Sequence, residues 1–61
     1  MSEFKYRVGV EDNIEHLDYW DYTASEYEQA EARFDSIALE KGEYKYISNL
    51  ITGDVIMFEE K

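Results

Sequence analysis

The chain has no cysteine and no proline, one histidine and three glycines in 61 residues. Without thiols, disulfide staples, thiolate nucleophiles and thiolate zinc sites are excluded together. With one imidazole, a histidine-rich metal centre is excluded as well, and no cofactor is expected. The missing proline leaves every backbone N–H available, as strands inside a sheet require. Basic residues are scarce: six Lys and Arg stand against 15 Asp and Glu, for a formal charge of −9. That balance opposes general affinity for nucleic acid or an anionic membrane. No apolar run approaches the ~20 residues of a membrane span. Met1-Ser2-Glu3 opens nothing like the basic-then-apolar start of a signal peptide, so a soluble, cytoplasmic protein is expected.

What is present is apolar and aromatic. Six Tyr, three Phe and one Trp are too many rings for a disordered chain. Residues 1–61 make one domain, and a small one. A chain of this size buries only about 60% of its unfolded surface, so its core is marginal. Small domains add disulfides, a metal or a partner subunit. With the first two excluded, self-association is expected, most simply as a homodimer.

The strongest local signal lies at residues 23–42, which read as the one long helix. Thr23-Ala24-Ser25-Glu26 fits a capping box, and Tyr22 and Tyr27 occupy the positions of a hydrophobic staple. Tyr27, Ala30, Ile37 and Ala38 fall within about 60° of Phe34 at ~100° per residue, forming one apolar stripe. Leu39 falls outside that stripe, a candidate for a loop contact or an interface. Gly42 is placed as the left-handed stop, after Lys41 at the negative end of the helix dipole.

Before the helix, residues 4–10 alternate, with Phe4, Tyr6, Val8 and Val10 on one side and Lys5, Arg7 and Gly9 on the other. Glu11-Asp12-Asn13 is a turn cluster. Residues 15–22 return as a second strand, with Leu17 and Tyr19 on one face and His16, Asp18, Trp20 and Tyr22 on the other. After the helix, residues 43–51 are rich in β-formers, and Thr52-Gly53-Asp54 supplies a turn with Gly53 at positive φ. The unbroken apolar run 55–58 reads as an interior strand covered on both faces. The expected fold is therefore α+β: one four-stranded antiparallel sheet packed on one helix, in the order strand, strand, helix, strand, strand. One helix cannot cover all the strand side chains, so an apolar patch is expected on the open face. Either Val55 and Met57 or Ile56 and Phe58 would carry it.

Candidate functional residues concentrate between Arg7 and Arg33, a stretch with many acids and no Lys or Arg. Glu11, Asp12, Glu15, Asp18 and Asp21, with Tyr19, Trp20 and Tyr22, form the candidate binding segment. Tyr and Trp add large contact area with few rotors, and dense negative charge suits a groove that otherwise holds phosphates, hence DNA mimicry as one mechanism. The plainer reading of the acids is a solvated face, and of the rings a small core. An alternative site is Lys5, Arg7 and Lys45 on the open sheet face, gripping a nucleotide or other small anion at an oligomer interface. Their plainer reading is surface charge paired with the many acids.

Catalytic and metal readings are weaker. Glu11-Asp12-Asn13 with Glu15 lacks the glycine and carboxylate spacing of a calcium loop. Asp18 and Asp21 form a carboxylate pair only in the sense that acids abound here. Ser25, Ser36 and Ser48 have His16 as their one candidate base and no nucleophile elbow. No enzyme activity is expected.

In size, absence of cysteine, acidity, tyrosine content and one helix on a small sheet, the whole chain resembles small acidic phage-encoded proteins made early in infection to disable host enzymes or defence systems. That resemblance implies an inhibitor that binds a host protein. The other readings are an oligomeric sponge for a small anionic ligand and a structural or assembly module.

Overall fold

The computed structural model describes residues 3–61, so the reading of the Met1-Ser2 start lies outside the described residues. Four strands and one helix follow the expected order: β1 (Phe4–Glu11), β2 (His16–Thr23), a 3-10 turn (Ala24–Glu26), α1 (Tyr27–Ser36), β3 (Tyr44–Asn49) and β4 (Val55–Glu60). The strands form a single antiparallel sheet in the order β2-β1-β3-β4, an α+β fold with α1 on one face. No helix among the described residues is long and apolar enough to cross a membrane.

Strand alternation separates the two faces. Toward the helix, Trp20, Val8, Ile47 and Met57 make one row across all four strands. Val8, Ile47 and Ala30 are fully buried and Phe34 nearly so, with Tyr6, Tyr22 and Ile37 packed around them. A neighbouring row carries Asp18, Val10, Lys45 and Glu59. The apolar stripe of α1 thus covers the centre of the sheet, as its periodicity requires.

The helix starts where the sequence places it and stops earlier. Its entry is held by the Glu26 carboxylate, which accepts from the Thr23 backbone N–H at 2.8 Å. The Tyr27 ring, rather than pairing with Tyr22 as a staple, meets Tyr6 edge-on at 4.9 Å. The end lies at Ser36, not Gly42. Ser36 Oγ donates to the Arg33 carbonyl at 2.7 Å, a local competitor of the helical ladder, and Ile37 turns extended. The Lys45 ammonium then donates to the Phe34 and Ile37 carbonyls, at 2.6 and 3.1 Å, and satisfies acceptors left at the helix end. Beyond that point helical rotation no longer applies: Ala38 is exposed and Leu39 is buried. Gly42 does take positive φ, 91°, but in the turn leading to β3, where its N–H donates to the Lys61 carbonyl at 3.0 Å.

Two strand expectations are corrected. The run 55–58 lies in β4, an edge strand, and Val55, Ile56 and Phe58 are 60%, 42% and 56% exposed. The interior strands are β1 and β3, because the chain crosses over with α1 and inserts β3 beside β1. In β4 it is Met57 that packs toward the core, while Phe58 faces away from the helix. In β2, a register shift between Val10 and Glu11 leaves Leu17 without a partner residue. It carries His16 to the face opposite Asp18, Trp20 and Tyr22, since a bulge reverses the alternation.

Candidate functional site

The face away from the helix is built as three rows. Its central row crosses the whole sheet: Tyr19 on β2, Gly9 on β1, Tyr46 on β3 and Phe58 on β4. Gly9 has a steric reason to be there. The Tyr46 ring lies directly across it, so a Cβ at that position would overlap the ring. A glycine inside a strand pattern marks such a close approach, which is the one signal of this row present in the sequence.

The rows on either side are charged; Glu60 at the β4 end is exposed, and the other charged side chains bond one another. On one side Arg7 holds Asp21 in a two-pronged contact, Nε to Oδ1 at 2.7 Å and Nη2 to Oδ2 at 3.0 Å. The same guanidinium stacks on the Tyr19 ring at 4.3 Å. On the other side Glu11 gathers three donors. Tyr44 Oη donates to its Oε1 at 2.8 Å, Tyr46 Oη to its Oε2 at 3.0 Å, and His16 Nδ1 lies 2.5 Å from Oε2. These bonds, from Tyr44 first and His16 next, hold the Glu11 carboxyl below its ordinary pKa. Desolvation, followed by the bond to Glu11, pushes the Tyr46 hydroxyl up to about 12. Phe58 extends the patch beside Tyr44, ring centres 5.6 Å apart, and His16 lies 5.2 Å from Tyr19. The result is an aromatic band beside which the Asp21 and Glu11 carboxylates are each held by hydrogen-bond donors, on a chain that is otherwise strongly acidic.

The candidate segment 11–22 is divided by this arrangement. Glu11, Tyr19 and Asp21 belong to the open face, whereas Asp18, Trp20 and Tyr22 stand on the helix side of β2. Asp12 builds the β1–β2 turn: its Oδ1 accepts from the backbone N–H groups of Ile14 and Glu15, both at 2.7 Å, which lowers its pKa. Glu15 is exposed beside it. The acids therefore do not share one surface, because a strand sends successive side chains to opposite faces.

The alternative trio is divided too. Arg7 is on the open face and committed to Asp21. Lys5 lies 5.5 Å from the Tyr6 ring centre. Lys45 is 4% exposed under the helix, 4.5 Å from the centre of the Phe34 ring, and is not on the open face at all. Tyr44 and Tyr46 are open-face residues that the sequence did not single out, and Phe58 was named there only as one of two alternatives for the open patch. Their role depends on the β1–β3 and β3–β4 registers, which no local pattern encodes. Among the described residues, no group of three or more His, Asp or Glu side chains is arranged to hold a metal ion. Compared with family models, curated proteins and solved structures, the chain matches none of them.

Proposed function

We propose that this chain is a non-catalytic interaction module that holds a protein partner against the open face of its sheet. The observation that carries this reading is the row Tyr19–Gly9–Tyr46–Phe58, flanked by the Arg7–Asp21 and Glu11–His16 pairs. Aromatic rings fixed in advance lose little freedom on binding, and charges already paired do not have to be stripped of solvent alone. The acids that remain around the face act at longer range. They favour a partner with a basic rim and speed its approach. Following the class-level resemblance, we take that partner to be a host protein and the outcome to be inhibition. Because the acids are dispersed, contact through the aromatic band supports the reading better than phosphate mimicry does.

Capture from host lysate tests it, with the wild type, a Tyr19→Ala/Phe58→Ala double variant, and Glu28→Ala on the helix as control. The expected result is a stoichiometric protein bound by the wild type and the control and lost from the double variant. Retention by the double variant with loss in the control overturns the proposal.

A second reading, self-association, is favoured by one observation. β4 is an edge strand with exposed apolar side chains at Val55, Ile56 and Phe58. Uncovered apolar edges pair with other strands, and a two-fold pairing of β4 with its copy would continue the sheet. Light scattering at micromolar concentration should give a dimer mass that falls to the monomer in Val55→Lys. A monomer mass for the wild type contradicts this reading.

A further inference from the structure

On the helix side, beyond the open face, β2 and α1 enclose a shallow groove of about 410 Å³ lined by Tyr22, Gln29, Ala32, Arg33 and Ser36. Arg33 stands on its wall. Its guanidinium is stacked 4.6 Å from the Trp20 ring centre, and its Nε donates to Tyr22 Oη at 3.3 Å. Among the described residues it makes no ion pair, although the chain carries 15 acids. Helical geometry explains why. Glu28, Glu31 and Asp35 all lie about 140–160° around the helix from Arg33, while Gln29 and Ser36 lie within about 60° of it. The nearest helix-end carbonyls, of Phe34 and Ile37, are taken by the buried Lys45 ammonium, which offsets the negative end of the dipole there.

We infer that this groove is a binding site for a monocarboxylate with a flat apolar body, held by the two free prongs of Arg33. The planar fork of a guanidinium matches the two oxygens of a carboxylate, and stacking on Trp20 fixes the fork before the ligand arrives. The Tyr22 ring and the Ala32 methyl supply an apolar wall, and the Gln29 amide a further donor. A phosphate dianion is disfavoured, because it meets twice the repulsion from a chain of charge −9.

Trp20 is the sole tryptophan, so its fluorescence reports directly on the site. The experiment titrates the full chain at fixed ionic strength with benzoate, benzamide, phenyl phosphate and acetyl-Gly-Gly-Phe with a free C-terminus, while recording amide NMR spectra. The expected result is a saturable change with the two carboxylates, a Kd on the order of 1 mM for benzoate, and no saturation with benzamide. Tighter binding of the peptide assigns a chain terminus as the natural source of the carboxylate, and tighter binding of benzoate a free acid. Arg33→Gln should weaken carboxylate binding by roughly tenfold or more, with Arg33→Lys between the two. Benzamide binding as well as benzoate, phenyl phosphate binding more tightly, no saturation with either carboxylate, or an Arg33→Gln variant equal to the wild type each overturns the inference. Should Arg33→Gln fail to fold, the benzoate–benzamide comparison on the wild type still decides it.

Discussion

The helix-covered face and the open face of the sheet each carry aromatic rings and a charged side chain with several hydrogen-bond partners, yet they hold them by different forces. Under the helix, Val8, Ile47 and Ala30 have no exposed surface, and the charge, Lys45, is enclosed with two carbonyl acceptors. On the open side Tyr19 is 48% and Phe58 56% exposed, and the charge, Glu11, is shared among two tyrosine hydroxyls and an imidazole. Burial fixes the first face and a hydrogen-bonded lattice fixes the second. A face can therefore be ordered without being covered, which is the condition a ready-made contact surface must meet.

Substitutions should separate the two regimes, and the largest effect belongs under the helix. Phe34→Ala removes the ring at the centre of the core and should cost roughly 3–5 kcal/mol, a large part of the stability of so small a domain. Chemical denaturation checks this; a loss below about 1 kcal/mol would mean the core is elsewhere. Next comes Lys45→Met, which keeps the packing of the stem and leaves the Phe34 and Ile37 carbonyls without their ammonium. A loss of about 1.5–3 kcal/mol is expected, with faster amide exchange in the last turn of α1.

On the open face the costs should be smaller and should depend on pH. Glu11→Gln should cost about 1 kcal/mol near neutrality, the partly exposed carboxylate being screened by solvent. Because the fold depresses the Glu11 pKa, its contribution is complete above the ordinary value of 4.5 and is lost as pH falls through the lower folded value. The gap between wild type and variant should therefore close in acid. A gap that widens there would contradict the three-donor arrangement. Tyr46 is the alkaline counterpart. Its pKa is raised from 10.0 to about 12, so the fold favours the neutral phenol. That stability is complete below pH 10.0 and is lost as pH rises toward about 12. Tyr27 and Tyr44 are also raised, so ultraviolet titration should show a spread of late ionisation, and Tyr46→Phe should remove its last step.

Much of the covered face was legible in the sequence, because it rests on local periodicities. Val8 and Val10 announce themselves by alternation, and Ala30 and Phe34 by helical spacing. The end of α1 was not legible, since the carbonyls left there are satisfied by Lys45, on a strand that follows the helix. The position of β4 was not legible either. A run of four apolar residues suits an interior strand, but the crossover carried by α1 puts β3 inside and β4 at the edge. Of the candidate segment, Glu11, Tyr19 and Asp21 share the open face, but their nearness in sequence is not what brings them together. What unites them on the open face is cross-strand register with Arg7, Gly9 and Tyr44, and register is a property of pairs of strands. Arg33 was read only as the far limit of the acidic stretch, and its stack on Trp20 becomes visible only when α1 is laid beside β2.

The central proposition, that partners are held by the open face, is tested most directly by site-specific photo-crosslinking in host lysate. A photoreactive phenylalanine analogue is placed in turn at Tyr19 and Phe58 on the open face, and at Glu28 and Asp35 on the outer side of the helix. The expected result is one host protein crosslinked from positions 19 and 58 and absent from 28 and 35. Crosslinks to a host protein from the helix positions alone would contradict it.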